Sequence, residues 1–166
     1  MNLTERQQKV VDKLNELEIP FDIHFHPPIP TIEEALNYWK EFDSTHCKNL
    51  FFRNHKGNRH YLVIFDCMKQ LAIHDLEQRL KQGKLSFASE ARMEKYLGLK
   101  PGSVSPFGII NDEEHHVYLY IDKNLLKSER LSFHPNDCRG TVVIKRDDFE
   151  RYLQGLGNVV EWIELY

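Results

Sequence analysis

The stretch that decides the fold is His46-Cys47-Lys48-Asn49-Leu50-Phe51-Phe52-Arg53-Asn54-His55-Lys56-Gly57-Asn58-Arg59-His60-Tyr61-Leu62-Val63-Ile64-Phe65. Leu50, Phe51 and Phe52 precede the break, and Tyr61 to Phe65 follow it; both runs are apolar β-formers. Asn54-His55-Lys56-Gly57-Asn58 between them is turn chemistry, because glycine and asparagine tolerate left-handed backbone. Apolar runs on both sides of such a turn predict a β-hairpin. A lone hairpin is marginal in water, so further strands or a helix must cover it.

The flanking sequence supplies both. Towards the N-terminus, Thr4 and Gln7 form a capping box, and Val10, Val11, Leu14 and Leu17 share one helical face. Phe21, Ile23 and Phe25 alternate with Asp22, His24 and His26, which predicts a half-buried strand ended by Pro27, Pro28 and Pro30. Thr31 with Glu34 is a second capping box before a short helix through Trp39. Beyond the hairpin, helices are expected over Ile73 to Gln82, Glu90 to Leu97 and Asp147 to Leu153. Strands are expected at Leu85 to Phe87, Ile109-Ile110, Val117 to Ile121, Leu131 to Phe133, Thr141 to Ile144 and Val159 to Ile163. Mixed elements without a regular βαβ repeat favour α+β over a doubly wound sheet.

The chain has 166 residues, a length suited to one domain over 1–166. Hydrophobic residues are 41% and charged residues 28%, which excludes a disordered tail, a collagen-like fibre and a coiled coil. No apolar run is long enough to span a bilayer, and Met1 to Lys13 lacks the apolar segment of a secretory signal. The three cysteines, Cys47, Cys67 and Cys138, contain no C-x-x-C pair, so the expected compartment is the reducing cytoplasm. Net charge is -3, so any nucleic-acid contact must come from a local patch.

One such patch is the hairpin. Lys48, Arg53, Lys56 and Arg59 fall in a run without Asp or Glu, beside Phe51, Phe52 and Tyr61. That pattern can track phosphates and stack bases; charge alone also fits a hairpin edge protected by cations. Lys100-Pro101-Gly102-Ser103-Val104-Ser105-Pro106-Phe107-Gly108 is a shaped loop whose backbone groups could hold an aminoacyl moiety or an oxyanion. His134-Pro135-Asn136-Asp137 places a histidine at a strand end, as a base, a pocket wall or a turn cap. His24-x-His26 has metal-ligand spacing on one strand face, yet no third ligand suggests itself. Cys47 beside Lys48 is a thiol candidate, although a lone cysteine more often packs. No dinucleotide or P-loop fingerprint occurs, so no cofactor is expected.

Taken in order, Thr31-Ile32-Glu33-Glu34-Ala35, His46 to Asn54, Arg59 to Val63, Leu85 to Ser89, Pro101 to Gly108 and Phe133 to Asn136 resemble the YbaK and prolyl-tRNA synthetase-associated editing family. The resemblance runs over nearly the whole chain and is strongest to the free-standing branch that deacylates mischarged alanyl-tRNA(Pro). It implies a YbaK-like α+β domain with a central mixed, mostly antiparallel sheet flanked by helices. The implied reaction is hydrolysis of the ester between an amino acid and the tRNA 3′ end, without a covalent intermediate.

By the same resemblance, Lys48 falls on the essential lysine, Asn49 on its functional neighbour and His134 on the late histidine. Thr31 and the loop Gly102, Ser103, Val104, Ser105 and Pro106 fall on substrate contacts. Arg53, Lys56 and Arg59 are the expected tRNA contacts, with the acceptor end of tRNA(Pro) as partner and prolyl-tRNA synthetase as a further one; no metal and no membrane are expected. One departure stands out: relatives continue the last motif with Asn-Thr-Ala, where this chain has Cys138-Arg139-Gly140. Rival readings are a catalytically silent tRNA- or synthetase-binding module, a deacylase for cysteine, serine or proline esters, and a metal- or thiol-dependent hydrolase.

Overall fold

A computed structural model describes residues 3–28, 32–40 and 42–166. The hairpin is its centre. β2 (Thr45–Arg53) and β3 (His60–Asp66) pair antiparallel from Cys47↔Asp66 to Arg53↔His60. Around them the eight-stranded sheet runs β1 (Asp22–Phe25), β7 (Gly140–Lys145), β6 (Arg130–Phe133), β2, β3, β5 (Tyr118–Asp122), β8 (Val160–Ile163). β4 (Ser86–Phe87) pairs with β2 off this path. Four pairings are antiparallel (β1·β7, β6·β7, β2·β3, β2·β4) and three parallel (β2·β6, β3·β5, β5·β8). The sheet is mixed with an antiparallel majority.

Side chains two apart on a strand share a face, and β2 and β3 are apolar on both faces. Phe51, Leu62 and Ile64 join one core with Leu119, Ile121 and Phe133. α1 (Glu5–Glu16) brings Val10 and Leu14 to it, and α5 (Arg146–Gln154) brings Phe149 and Tyr152. Phe52, Tyr61, Val63 and Phe65 join a second core with Leu76 of α3 (Ile73–Leu80), Leu85 and Leu165. Each such side chain, fully buried, contributes roughly 1.5–3 kcal/mol, so both sides of the hairpin are anchored.

Local signals set most boundaries. The Thr4–Gln7 box closes reciprocally, at 3.0 Å and 3.2 Å, and starts α1. Ser89 Oγ accepts from Arg92 N and starts α4 (Glu90–Leu97). α2 (Ile32–Trp39) forms, while Thr31, which opens the Thr31–Glu34 box, falls outside the described residues.

Two expectations are corrected. Ile109-Ile110 is not a strand; Pro106–Asn111 is a 3-10 turn. Ser105 Oγ accepts from Phe107 N, Pro106 sits at the first position, and both override the β preference of two isoleucines. β2 also begins at Thr45, earlier than its apolar run, because β6 pairs it at Thr45↔Leu131 and His46↔Ser132. No helix among the described residues is long and apolar enough to cross a membrane.

Candidate active site

β2 changes neighbours along one edge. It pairs with β6 at Thr45 and His46, and with β4 at Phe52 and Arg53. Between them, among the described residues, no strand pairs that edge. The sheet is split there, and Lys48 and Asn49 stand on the strand that borders the seam.

Adjacent strand residues face opposite ways. Lys48 therefore shares its face with His46, and Asn49 with Cys47. Lys48 is exposed and has no hydrogen bond or ion pair among the described residues. His46 is buried, its ring stacked on Trp39 with centroids 3.2 Å apart. The His134 ring lies 6.1 Å from that of His46 and 6.5 Å from that of His26. The structure thus brings His134 to the β2 face that carries Lys48. Burial first, then His134 and His26, push the His46 pKa down to about 3.

His134 is oriented by its backbone partner. Nδ1 donates to the Gly140 carbonyl at 2.9 Å, which leaves the Nε2 lone pair to accept. Desolvation holds its pKa below the usual histidine value despite that bond. His26 Nδ1 donates to Pro27 O at 2.9 Å, and its Nε2 is 2.7 Å from Thr141 Oγ1.

The glycine loop is tied to the turn after His134. Ser103 Oγ accepts from Cys138 N at 3.1 Å, and Asn136 Nδ2 donates to the Phe107 carbonyl at 3.2 Å. The Tyr152 hydroxyl, fully buried, donates to the Pro106 carbonyl at 2.8 Å. Gly102 has φ +84°, and a Cβ there would meet nothing within 4 Å. Only glycine adopts this backbone without strain, and it faces open space. Val104 packs against the first core, and Ser105 is buried as the cap of the 3-10 turn. Thr31 lies outside the described residues.

The unusual Cys138-Arg139-Gly140 acquires a structural account. Arg139 Nε and Nη2 grip the buried Asp137 carboxylate at 2.8 and 2.7 Å, and Arg139 N donates to it as well. These bonds hold the Asp137 pKa down to about 2. The turn that carries His134 is fastened from within.

Among the described residues, several buried polar atoms here have no partner: Trp39 Nε1, His46 Nδ1, Asn49 Oδ1 and Asn136 Oδ1. Buried polar groups are nearly always hydrogen-bonded in native proteins. Trp39 Nε1 and His46 Nδ1 belong to the β2 face that carries Lys48 and Asn49 Oδ1 to the other face, so polar atoms without a partner stand on both sides of the strand beside the seam. Asn49 Nδ2 makes one long bond, 3.4 Å, to the Cys47 carbonyl.

The other candidates separate. Cys47 is buried, and desolvation raises its thiol pKa well above the ordinary value, which suppresses a thiolate nucleophile. His24 stacks on Phe42 at 4.1 Å, and among the described residues no group of three His, Cys, Asp or Glu is placed to hold a metal. The basic hairpin divides between the two faces. Arg53 lies beside Gly57 on the His60 side, whereas Arg59 sits 5.6 Å over the Tyr118 ring with the second core. Lys56 is exposed at the tip.

Residues 26–152 match the aminoacyl-tRNA editing domain. The chain belongs to that family. The prolyl-tRNA editing protein ProX of Acetoanaerobium sticklandii is 42% identical over 161 residues, covering 97% of this chain and 98% of that one. The prolyl-tRNA synthetase associated domain-containing protein 1 of Mus musculus is 27% identical, covering 93% and 94%. In fold, a crystal structure of a proposed trans-editing enzyme for prolyl tRNA synthetase superposes with TM-score 0.75 at 20% identity, covering 97% and 98%. The editing-domain span opens at His26 and holds the whole seam. α1 and β8 lie outside it, yet Val10, Leu14, Val160 and Trp162 pack with the first core.

In the sequence His46 stands out only within a motif, and Trp39 and Thr141 only as members of a helix and a strand, not as site candidates. The signal for His46 was its i−2 spacing from Lys48. Nothing local marked Trp39 or Thr141, whose roles depend on contacts across the fold.

Proposed function

We propose that this chain is a trans-editing deacylase that hydrolyses mischarged aminoacyl-tRNA, with alanyl-tRNA(Pro) as substrate. The observation that carries the reading is that, among the described residues, His46 Nδ1 and Trp39 Nε1 stand without a partner on the β2 face of an unpaired Lys48, in a chain 42% identical to a prolyl-tRNA editing protein. Cytoplasmic location and encounter with prolyl-tRNA synthetase accompany it as expectations.

The aminoacyl ester is already activated, so positioning and charge stabilisation suffice. His134 Nε2 takes a proton from water as the water oxygen attacks the ester carbonyl. The Lys48 ammonium stabilises the developing oxyanion. The carbon–oxygen bond to the ribose then breaks, the ribose oxygen receives the proton, and the free amino acid leaves. Gly102 to Pro106 form the wall that receives the amino acid. Asn49 faces away from Lys48 and acts as a positioning residue through its strand. Editing answers a physical limit: a proline pocket discriminates against a smaller side chain by only about 1–3 kcal/mol per methylene.

The test is a deacylation panel with purified protein and charged tRNAs. Alanyl-tRNA(Pro) should be consumed, and Lys48→Ala should lose about 10²–10³-fold in kcat. Equal rates for the two proteins would remove Lys48 from the mechanism. No hydrolysis of any charged tRNA would leave a binding module instead.

A further inference from the structure

Away from the seam, two guanidiniums converge without a counter-ion. A Cβ on Gly57 (φ +73°) would lie 3.0 Å from Arg92 Nη2 and 3.1 Å from Arg53 Nη1, so both groups crowd the same point. A side chain there would press on both guanidinium tips, which would have to give by a few tenths of an ångström. Arg6, Arg79, Arg139, Arg146 and Arg151 each have a carboxylate partner. Among the described residues, Arg53 and Arg92 have none. Like charges this close repel unless an anion offsets them.

Arg92 is also held in place. Its Nη1 donates to the Gly57 carbonyl at 2.8 Å and to His60 Nε2 at 3.0 Å. His60 in turn donates from Nδ1 to His116 Nε2 at 2.8 Å, and its ring packs against Tyr96 and Phe51. Burial and then His116, Arg92, Arg53 and Lys95 push the His60 pKa down to about 4, which keeps it an acceptor for Arg92; Arg92, Arg53 and Lys95 among these neighbours are cations. Both anchoring bonds use Nη1. Among the described residues, Nε and Nη2 make no bond and are not buried unpaired atoms, so one edge of the fork is unpaired and reached by solvent. That edge matches the bidentate geometry of a phosphate. Lys56 and Lys95 stand exposed nearby.

We infer that Arg53 and Arg92, meeting over Gly57, form a second anion site that grips a backbone phosphodiester of the RNA. The inference rests on the deacylase reading and adds a contact to it. Arg53 is five residues from Lys48 along β2, roughly 16 Å. The phosphate held there therefore belongs to a different nucleotide from the one carrying the ester.

The test measures uncharged tRNA binding by fluorescence anisotropy over a salt series. The Arg53→Gln/Arg92→Gln double variant should bind several-fold more weakly, with the log Kd–log salt slope reduced by about 1. Arg92→Lys should fall between, since it keeps charge and loses the fork. Arg130→Gln, an arginine outside this cluster, should match the parent protein. Arg53→Gln alone breaks no hydrogen bond of the described residues and carries the test if the double variant unfolds. Unchanged affinity and slope would overturn the proposal. So would saturation of the Arg92 Nε–H signal in NMR by inorganic phosphate at lower concentration than by tRNA, which would make this a free-phosphate site. Loss of charged-tRNA hydrolysis in the parent protein would sink the deacylase reading while leaving these slopes intact.

Discussion

His134 Nδ1 lies 2.9 Å from the carbonyl oxygen of Gly140, and this bond fixes which nitrogen of the ring can take a proton. His134→Gln should then lower kcat by about 10²–10⁴-fold with little change in KM. The pH profile carries further information. A base is lost as pH falls through its pKa, and burial holds that of His134 below 6.5. Hydrolysis should persist into mildly acidic buffer. An acid limb at or above 6.5 would exclude His134 as the base.

Gly102 offers a separate handle on the amino-acid wall. Its positive φ makes Gly102→Ala cost roughly 1–2 kcal/mol of stability, with no added clash, since the new methyl meets nothing within 4 Å. The methyl enters the space assigned to the substrate, so KM should rise with the protein still folded. Thermal unfolding beside steady-state kinetics separates the two effects. A KM equal to that of the parent would place the amino acid elsewhere.

Buried imidazoles should make the fold sensitive to acid. His46 and His60 have pKa values near 3 and 4, against 6.5 unfolded. Below pH 6.5 the unfolded chain binds protons that the native state refuses. Stability therefore falls with falling pH, by at most about 1.4 kcal/mol per pH unit for each ring. Urea midpoints between pH 7 and 4.5 would read this. His46→Phe should flatten the slope, and a flat profile in the parent protein would contradict it.

Much of the fold was legible because its signals are local. Ser89 and Gly98 bracket α4 at Glu90–Leu97, and the hairpin turn announces β2 and β3. Ile109-Ile110 misled because β-branched residues favour strands until a capped proline imposes a tighter turn. The opening of β2 was hidden because Thr45 to Asn49 lack an apolar run, and β6 supplies the pairing from more than eighty residues away. In the candidate site, Lys48, His134 and the glycine loop were readable as motif residues. The opposite facings of Lys48 and Asn49 followed from strand alternation once β2 was known to reach that far back. Arg92 had no local mark, because its meaning comes from Gly57 and His60 across the fold.

The divided edge of β2 has a bearing on how such a protein can diversify. Lys48 takes its rigidity from β3 on the opposite edge, through Lys48↔Phe65. The segments around Gly102 and Asn136 are fastened to each other by side chains, and no ladder pairing among the described residues ties them to β2. Insertions or deletions in those segments would change the room for an amino acid while the lysine keeps its place. If Lys48 and the glycine loop act as proposed, charge stabilisation and size selection sit on parts of the chain that can change independently.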